Sequence, residues 1–120
     1  MQTEHIIDSY CAAWNEECEQ NRLTLLRSCM IEDAVYVDPT TSLKGLAQLS
    51  EHIAAVFKRF PRSKIIRTSG IDHHHGIGRF SWVKELHDGS RLADSIDVVE
   101  FAADGKLHRV IGFFGPLMSA

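Results

Sequence analysis

Asp38 is a carboxylate placed where a protein could use it as a base. Residues 34–38 alternate in the manner of a strand, so Tyr36 and Asp38 share one face. Pro39 follows and cannot continue a sheet, which sets Asp38 at the end of the strand. If that face looks into the interior, we expect Asp38 at the mouth of an apolar cavity, where a carboxylate can accept a proton from a bound molecule.

Asp97 is a second acid, set among apolar residues. Along a predicted strand over residues 91–101, it shares a face with Val99 and Phe101, so we expect it to be at least partly buried. Burial disfavours the charged carboxylate and raises the pKa, and a carboxyl group that keeps its proton is a hydrogen-bond donor. The alternative is an Asp97 at the rim of the sheet, bonded to backbone or to arginine side chains.

Tyr10 is the third polar candidate. It lies four residues before Trp14 on the first predicted helix, so the two rings are neighbours. Core packing explains both aromatic rings, but a buried phenol also needs a hydrogen-bond partner.

Three consecutive histidines, His73, His74 and His75, precede Gly76 at a predicted strand junction. His73 and His75 would share a strand face and could bind a metal with a third ligand. No other histidine or cysteine has motif spacing to them, so we predict no metal site. A solvated polar turn is the other interpretation of these residues, and the family resemblance given below implies a third, His75 as a proton shuttle in the pocket.

The three cysteines, Cys11, Cys18 and Cys29, are odd in number and form no CxxC pair. Their spacing places Cys11 and Cys18 on one helical face, where thiols usually serve as small apolar groups. We therefore expect structural thiols.

Periodicity predicts helices in the first half of the chain and strands in the second. The helices are predicted at about 4–18, 22–30 and 46–60. A polar loop at 39–44 follows the first strand, and tight turns are predicted at Asp88-Gly89 and Asp104-Gly105. The strands are predicted at about 34–38, 64–72, 76–86, 91–101 and 107–114. This order indicates an α+β fold, with helices on one face of a curved antiparallel sheet.

Composition limits the classes of function. The 120 residues, 44% of them apolar, favour a single domain over residues 1–120. A net charge of −3 argues against nucleic-acid and anionic-membrane partners. No apolar run approaches the roughly 20 residues of a membrane helix, and the first residues lack a signal-peptide pattern. We expect a soluble, cytoplasmic protein.

The order of elements and four sequence words, E-D-A-V-Y-V-D-P, L-K-G-L, I-D-V-V-E-F-A-A-D-G-K-L and I-G-F-F-G-P, carry a family resemblance. The chain resembles the NTF2-like superfamily and, within it, the SnoaL-like (polyketide-cyclase-like) branch, over nearly its whole length. The resemblance implies a cone: a strongly bent antiparallel or mixed sheet wraps the N-terminal helices and one long helix around an apolar pocket. The pocket is expected to be lined by Trp14, Tyr36, Phe57, His75, Phe80, Trp82 and Phe114.

The resemblance also implies a homodimer that forms through the open face of the sheet. We expect apolar strand residues on that face, including Val83 and Val110.

Three polar residues are similar to the catalytic groups of the ketosteroid isomerase family, which uses an Asp base and an oxyanion hole of Tyr and protonated Asp. Asp38-Pro39 resembles the base at the end of the first strand. The word Y-C-A-A-W-N, which begins at Tyr10, resembles the one that holds the oxyanion Tyr, and Asp97 resembles the protonated acid. The resemblance implies Asp38 as base, Tyr10 and Asp97 as oxyanion donors, a small apolar substrate and no cofactor.

Two functions follow for a fold that hosts both enzymes and binding modules. The first is proton transfer at the carbon next to a carbonyl group. The second is a non-catalytic module that binds a small ligand or dimerises, in which Asp38 caps its loop, Tyr10 bonds Asp97 and aromatic rings fill the cone. An open cavity that is lined by Tyr36, Asp38, Phe80 and Trp82, with Tyr10 and Asp97 in contact, favours the first function. A cavity that is filled by Trp14 and Trp82 favours the second.

Overall fold

One mixed sheet and three helices make up residues 2–120, the part of the chain that the computed structural model describes. The helices are α1 (Gln2–Trp14), α2 (Glu19–Cys29) and α3 (Leu46–Arg59). The strands are β1 (Met30–Asp38), β2 (Thr41–Lys44), β3 (Lys64–Arg67), β4 (Asp72–His74), β5 (Ile77–Glu85), β6 (Ser95–Phe101) and β7 (Leu107–Phe113).

The strands lie in the order β2-β1-β7-β6-β5-β3, with β4 paired to the first part of β5. The β1 and β7 pair is parallel and the other pairs are antiparallel. Register shifts interrupt the β1–β7 and β6–β7 ladders, and irregularities of this kind bend a sheet. The helices pack against the inner face of the bent sheet, which confirms the predicted α+β cone.

Strict alternation along the strands separates an inner face from an outer face. The inner face supplies Ala34, Tyr36, Phe80, Val99 and Val110 to one core. The helices supply the other side of this core through Ile7, Tyr10, Leu26, Leu49 and Ile53. The same alternation governs the polar residues, so Asp38 and Asp97 also face inward.

The predicted position of Val110 is wrong. Val110 lies opposite Val99 in register and is fully buried in the core, because it alternates with the outward-facing Ile111. Val83 is 5% exposed and likewise adds nothing to an open surface. The outer face instead carries six apolar residues with partial or full exposure, which are Val35, Val37, Ile96, Val98, Ile111 and Phe113.

The first helix ends four residues earlier than predicted. Asn15 leaves the helix and makes two hydrogen bonds to the backbone of Ile65: its Nδ2 donates to the carbonyl oxygen at 3.0 Å, and its Oδ1 accepts from the N–H at 2.7 Å. This side chain fixes the end of α1 to β3. Cys18 therefore lies beyond the helix and is exposed, so the expected shared face with Cys11 is wrong.

Two predicted strands and one predicted loop also differ. The strand predicted over 64–72 divides into β3 and β4, because the chain turns around Ser69 and Gly70. The Ser69 hydroxyl donates to the Gly70 carbonyl oxygen and accepts from the backbone N–H of Ser81. The strand predicted over 91–101 begins at Ser95, and Arg91 forms only an isolated bridge with Glu85. The predicted loop 39–44 contains β2, which pairs back onto β1. No helix among residues 2–120 is both long and apolar enough to cross a membrane.

Candidate functional site

A cavity of about 620 Å³ lies between the inner face of the sheet and helices α1 and α3. All three polar candidates, Tyr10, Asp38 and Asp97, line it. Five of the seven residues expected in the pocket also line it, namely Trp14, Tyr36, Phe80, Trp82 and Phe114. The aromatic rings thus form walls around open space and do not fill the cone.

Phe57 and His75 do not line the cavity, so their predicted positions are wrong. Phe57 packs against the buried core, because it lies about 100° around α3 from the cavity-lining Val56. His75 is exposed in the turn after β4, where its φ is +50°. This turn joins the first part of β5, whereas the cavity is lined by β5 from Phe80 onward.

Asp38 is buried, and both of its carboxylate oxygens accept hydrogen bonds. Oδ2 accepts from the Tyr36 hydroxyl at 2.6 Å. Oδ1 accepts from the backbone N–H of Thr40 at 2.7 Å and from its hydroxyl at 2.6 Å. These three donors come from within two residues of Asp38. Tyr36 shares its strand face, and the turn after Pro39 brings Thr40 back toward it.

These bonds set the charge of Asp38. Burial by itself would raise the pKa of this carboxyl, but the bonds from Thr40 and Tyr36 and the nearby His52 outweigh burial and hold the pKa below its usual range. Asp38 is therefore a carboxylate at neutral pH.

His52 is a site residue that sequence reasoning missed. Its Nε2 lies 3.7 Å from Oδ2 of Asp38, and its ring contacts those of Trp14 and Tyr36 at centroid distances of 5.9 and 5.8 Å. The residue follows Leu49 by three positions and precedes Val56 by four, on the edge of the apolar stripe of α3. That spacing was the available signal, because a polar residue beside a buried stripe points toward the same space.

Asp97 is in the opposite state. It is 6% exposed, and the Trp82 indole N–H, donating to Oδ1 at 3.1 Å, is its one hydrogen-bond partner among residues 2–120. Burial raises its pKa to about 7; the Trp82 bond opposes this rise, and the negative charge of Asp38 adds to it. Near neutral pH a large fraction of Asp97 is thus protonated and able to donate from Oδ2.

Gly112 lies between the two acids in the sheet, so their charges interact directly. Asp97 pairs with Gly112 in the sheet, and Asp38 lies on the other side of the same residue. A Cβ at position 112 would come 3.0 Å from Oδ1 of Asp97 and 3.5 Å from Cβ of Asp38. No side chain therefore separates the carboxyl groups across the three strands.

Tyr10 brings a free hydroxyl to the cavity. Its oxygen is buried and has no hydrogen-bond partner among the described residues. Burial raises the pKa of this phenol well above its usual value, and the nearby Asp97 carboxyl raises it further, so Tyr10 keeps its proton. No hydrogen bond joins Tyr10 to Asp97. The direct contact that was expected of the catalytic arrangement is therefore not made by a hydrogen bond, and neither is the structural bond of the alternative. An unpaired buried donor is costly, and a bound molecule with an acceptor would satisfy it.

Two cations lie farther out along the cavity wall. Arg59 is exposed at the end of α3, and Lys84 is half-buried on β5. The exposed lining residues, which we call the rim, are Thr40, Ala55, Arg59, Leu92, Ala93 and Phe114. The two acids of the cavity lining are thus buried, and its two cations are more exposed.

The thiols of Cys11 and Cys29 are not activated as nucleophiles. Burial raises the pKa of Cys11, which lines the cavity, and of Cys29 to about 12, so both are thiols at neutral pH. Among residues 2–120 no group of three or more His, Cys, Asp or Glu side chains is arranged to hold a metal.

Comparison with solved structures finds proteins that are similar to this chain over most of its length. A proposed isomerase of the SnoaL-like family from Agrobacterium tumefaciens strain C58 is 32% identical, with a TM-score of 0.89 over 96% of this chain and 98% of that one. A proposed SnoaL-like polyketide cyclase from Jannaschia sp. CCS1 is 12% identical, with a TM-score of 0.67 over 90% and 83% of the two chains.

A protein of unknown function with a cystatin-like fold, from Methylobium petroleophilum PM1, is 18% identical, with a TM-score of 0.77 over 98% and 78%. No protein-family model and no curated protein sequence matches the chain. The two more distant structures support the fold alone, whereas the first shares about a third of its residues over nearly its full length. The chain belongs to the SnoaL-like family.

Proposed function

We propose that this protein catalyses proton transfer at the carbon next to the carbonyl group of a small, mostly apolar substrate. One observation carries the proposal: a single cavity holds two carboxyl groups whose surroundings push their pKa values in opposite directions, down for Asp38 and up for Asp97. Such divergence assigns a base and an acid to the same site.

Asp38 acts as the base. It breaks the C–H bond next to the carbonyl by taking the proton, and the electron pair moves onto the carbonyl oxygen to give an enolate. The proton then returns to the same carbon or to another one. His52, 3.7 Å from the oxygen that takes up the proton, is placed to stabilise or relay it.

Tyr10 and Asp97 act as hydrogen-bond donors to the enolate oxygen. Tyr10 has a proton and no partner, and Trp82 occupies Oδ1 of Asp97, which leaves Oδ2 to carry the proton. Donors placed in advance in a dry cavity are worth a few kcal/mol each to such a reaction. This chemistry uses side chains alone, so the proposal includes no cofactor.

A non-catalytic binding module is the second candidate. It is favoured by the three hydrogen bonds to Asp38, which account for a carboxylate that does nothing except hold the β1–β2 turn. On this alternative the cavity binds a small apolar molecule without changing it.

Deuterium exchange separates the two candidates. We expect the protein to exchange protons next to the carbonyl of cyclic and acyclic ketones in D₂O, followed by NMR, and Asp38→Asn to lower the rate by at least roughly tenfold. Asp33→Asn, which alters an exposed acid on the same strand, is the matched control. Equal rates in the Asp38→Asn and Asp33→Asn variants, both folded by circular dichroism, would reject Asp38 as the base.

We also propose that two copies associate through the outer face of the sheet. Ile96 and Phe113 pair in register there, 38% and 57% exposed, beside Val98 and Ile111. A contiguous apolar patch of this kind favours a protein partner, and a second copy would cover both patches at once. Sedimentation equilibrium tests this: we expect a dimer for the wild type and a monomer for Ile96→Lys, and a wild-type monomer would contradict it.

A further inference from the structure

Arg59 and Lys84 share one aromatic surface. The Arg59 guanidinium carbon lies 5.5 Å from the centroid of the Phe60 ring, and Nζ of Lys84 lies 4.8 Å from it. Both cations are held by the same ring at cation–π distances. Phe60 also lines the cavity, so the pair belongs to its wall.

The two cations lack an acidic partner. Among residues 2–120 no carboxylate oxygen lies within 4 Å of either side chain. Partial burial lowers the pKa of Lys84; attraction to Asp38 opposes this, and the neighbouring Arg59 charge lowers it further. Two like charges in one place, one of them half-buried, leave a local excess of positive charge that a bound anion would neutralise.

The distance between the two cations and the acids sets the length of a molecule that could contact both. Asp97 lies opposite Phe80 in the sheet, and Lys84 follows Phe80 by four residues on β5 and on the same face, or about 13 Å between backbone positions along the strand. A molecule of that length could place a carbonyl group near Tyr10 and Asp97 and a charged group near Lys84. The apolar walls between the two ends suit a hydrocarbon body.

We propose that Arg59 and Lys84, held against Phe60, bind a carboxylate carried by the substrate, so that the substrate class is an apolar keto acid oriented with its charged end at the rim. The proposal rests on the proposed function for the position of the carbonyl group, but not for the binding of the carboxylate. The guanidinium group favours a planar carboxylate, with which it makes paired hydrogen bonds, and Lys84 adds a point charge.

Calorimetric titration with two matched probes tests the site. The probes are 4-oxo-4-phenylbutanoate and its uncharged amide, which have nearly the same shape and differ in charge. We expect the wild type to bind the acid about tenfold more tightly than the amide at low ionic strength, as charge-assisted hydrogen bonds at a partly exposed site would give. Raising the salt concentration should reduce this preference.

Substitution locates the preference. Arg59→Gln and Lys84→Gln should each lower the preference for the acid about threefold, and the double variant should abolish it. Lys58→Gln removes an exposed cation on α3 that does not line the cavity, and should leave the preference unchanged. Equal affinity of the wild type for the two probes, no binding of either probe at millimolar concentration, or an equal effect of Lys58→Gln would overturn the proposal.

The outcomes are distinguishable from those of the exchange experiment. If the carboxylate site fails, neutral ketones still exchange deuterium in the wild type, and Lys58→Gln exchanges them at the same rate. If the enzyme proposal fails, the acid probe still binds more tightly than the amide, although no exchange is seen.

Discussion

Asp38 and Asp97 are two acids on one face of one sheet, and the protein holds them in opposite states. Asp38 stands at the end of β1, where a turn supplies donors from Tyr36 and Thr40. Asp97 stands in the middle of the sheet, where both neighbouring strands use their backbone groups for pairing and one indole N–H is left to bond it. Asp97 is the more deeply buried acid and has one donor, whereas Asp38 has three, so burial and the number of donors together decide which acid is ionised.

The largest expected effect of this difference is on stability. The pKa of Asp97 is about 7 when folded and near 3.8 when unfolded, so the folded protein holds a proton that the unfolded chain releases. Its stabilising effect is complete below pH 3.8 and is lost as the pH rises through about 7; the difference corresponds to roughly 4 kcal/mol. The part of this loss that falls between pH 5 and pH 7, about 3 kcal/mol, should appear when urea unfolding is followed by tryptophan fluorescence at pH 5 and pH 8.

Asp97→Asn provides the comparison, because its amide cannot ionise. This variant should unfold with nearly the same free energy at both pH values, whereas Asp33→Asn should keep the wild-type difference. An equal pH dependence in the Asp97→Asn variant and the wild type would show that Asp97 is not the protonated acid.

The next effect concerns turnover. Asp97→Leu removes the donor and leaves the Trp82 N–H unbonded, so kcat/KM for exchange should fall about 10²- to 10³-fold. Asp97→Asn keeps an N–H donor and should lose much less. In the wild type kcat/KM should decline above about pH 7 as Asp97 loses its proton, and this decline should be absent from Asp97→Asn. A decline that persists in Asp97→Asn would assign it to another group.

Gly112→Ala should bring a smaller loss by changing what separates the two acids. The new methyl group would meet Oδ1 of Asp97 at 3.0 Å, so this oxygen, which accepts the Trp82 bond, must shift by a few tenths of an ångström. We expect about 1–3 kcal/mol of destabilisation, measured by urea unfolding, together with reduced turnover. Gly70→Ala, with no atom within 4 Å of the added methyl group, is the control and should change neither.

The smallest effect is expected from removing one of the three donors to Asp38. Tyr36→Phe deletes the bond to Oδ2 and should cost about 1 kcal/mol of the preference for the ionised form. The pKa of Asp38 should therefore rise, and the acidic limb of the pH–rate profile should move to higher pH. An unmoved acidic limb would mean that Asp38 does not control it.

Period-two alternation predicted that Asp38 shares a face with Tyr36, and that Asp97 shares one with Val99 and is at least partly buried. It left open which face of β1 is buried, because Val35 and Val37 lie on the outer side. Helical spacing placed Tyr10 and Trp14 on one wall. The family resemblance supplied the cone, within which these strands and helices share one interior.

The other features of the site depend on the register of the strands and on the path of the turns, and a single sequence specifies neither. Trp82 reaches Asp97 diagonally across β5 and β6, and this pairing follows from the register of Phe80 opposite Asp97. Thr40 lies in a predicted loop whose bonds depend on the path of the turn. The position of His75 was mispredicted because His75 itself adopts a left-handed conformation in the turn after β4. This turn pairs the histidines with the start of β5, away from the cavity.

The donors of Asp38 are its near neighbours in the sequence, whereas Tyr10 and Asp97 are separated by most of the chain. The proposed base and its donors thus lie together in the β1–β2 hairpin, whereas the proposed oxyanion donors, Tyr10 and Asp97, reach it only through the packing of α1 and β6. A partial expansion of the cone would move Tyr10 and Asp97 away from Asp38 while the helices and strands themselves remain folded. Catalytic competence should therefore vanish at lower denaturant concentrations than secondary structure does.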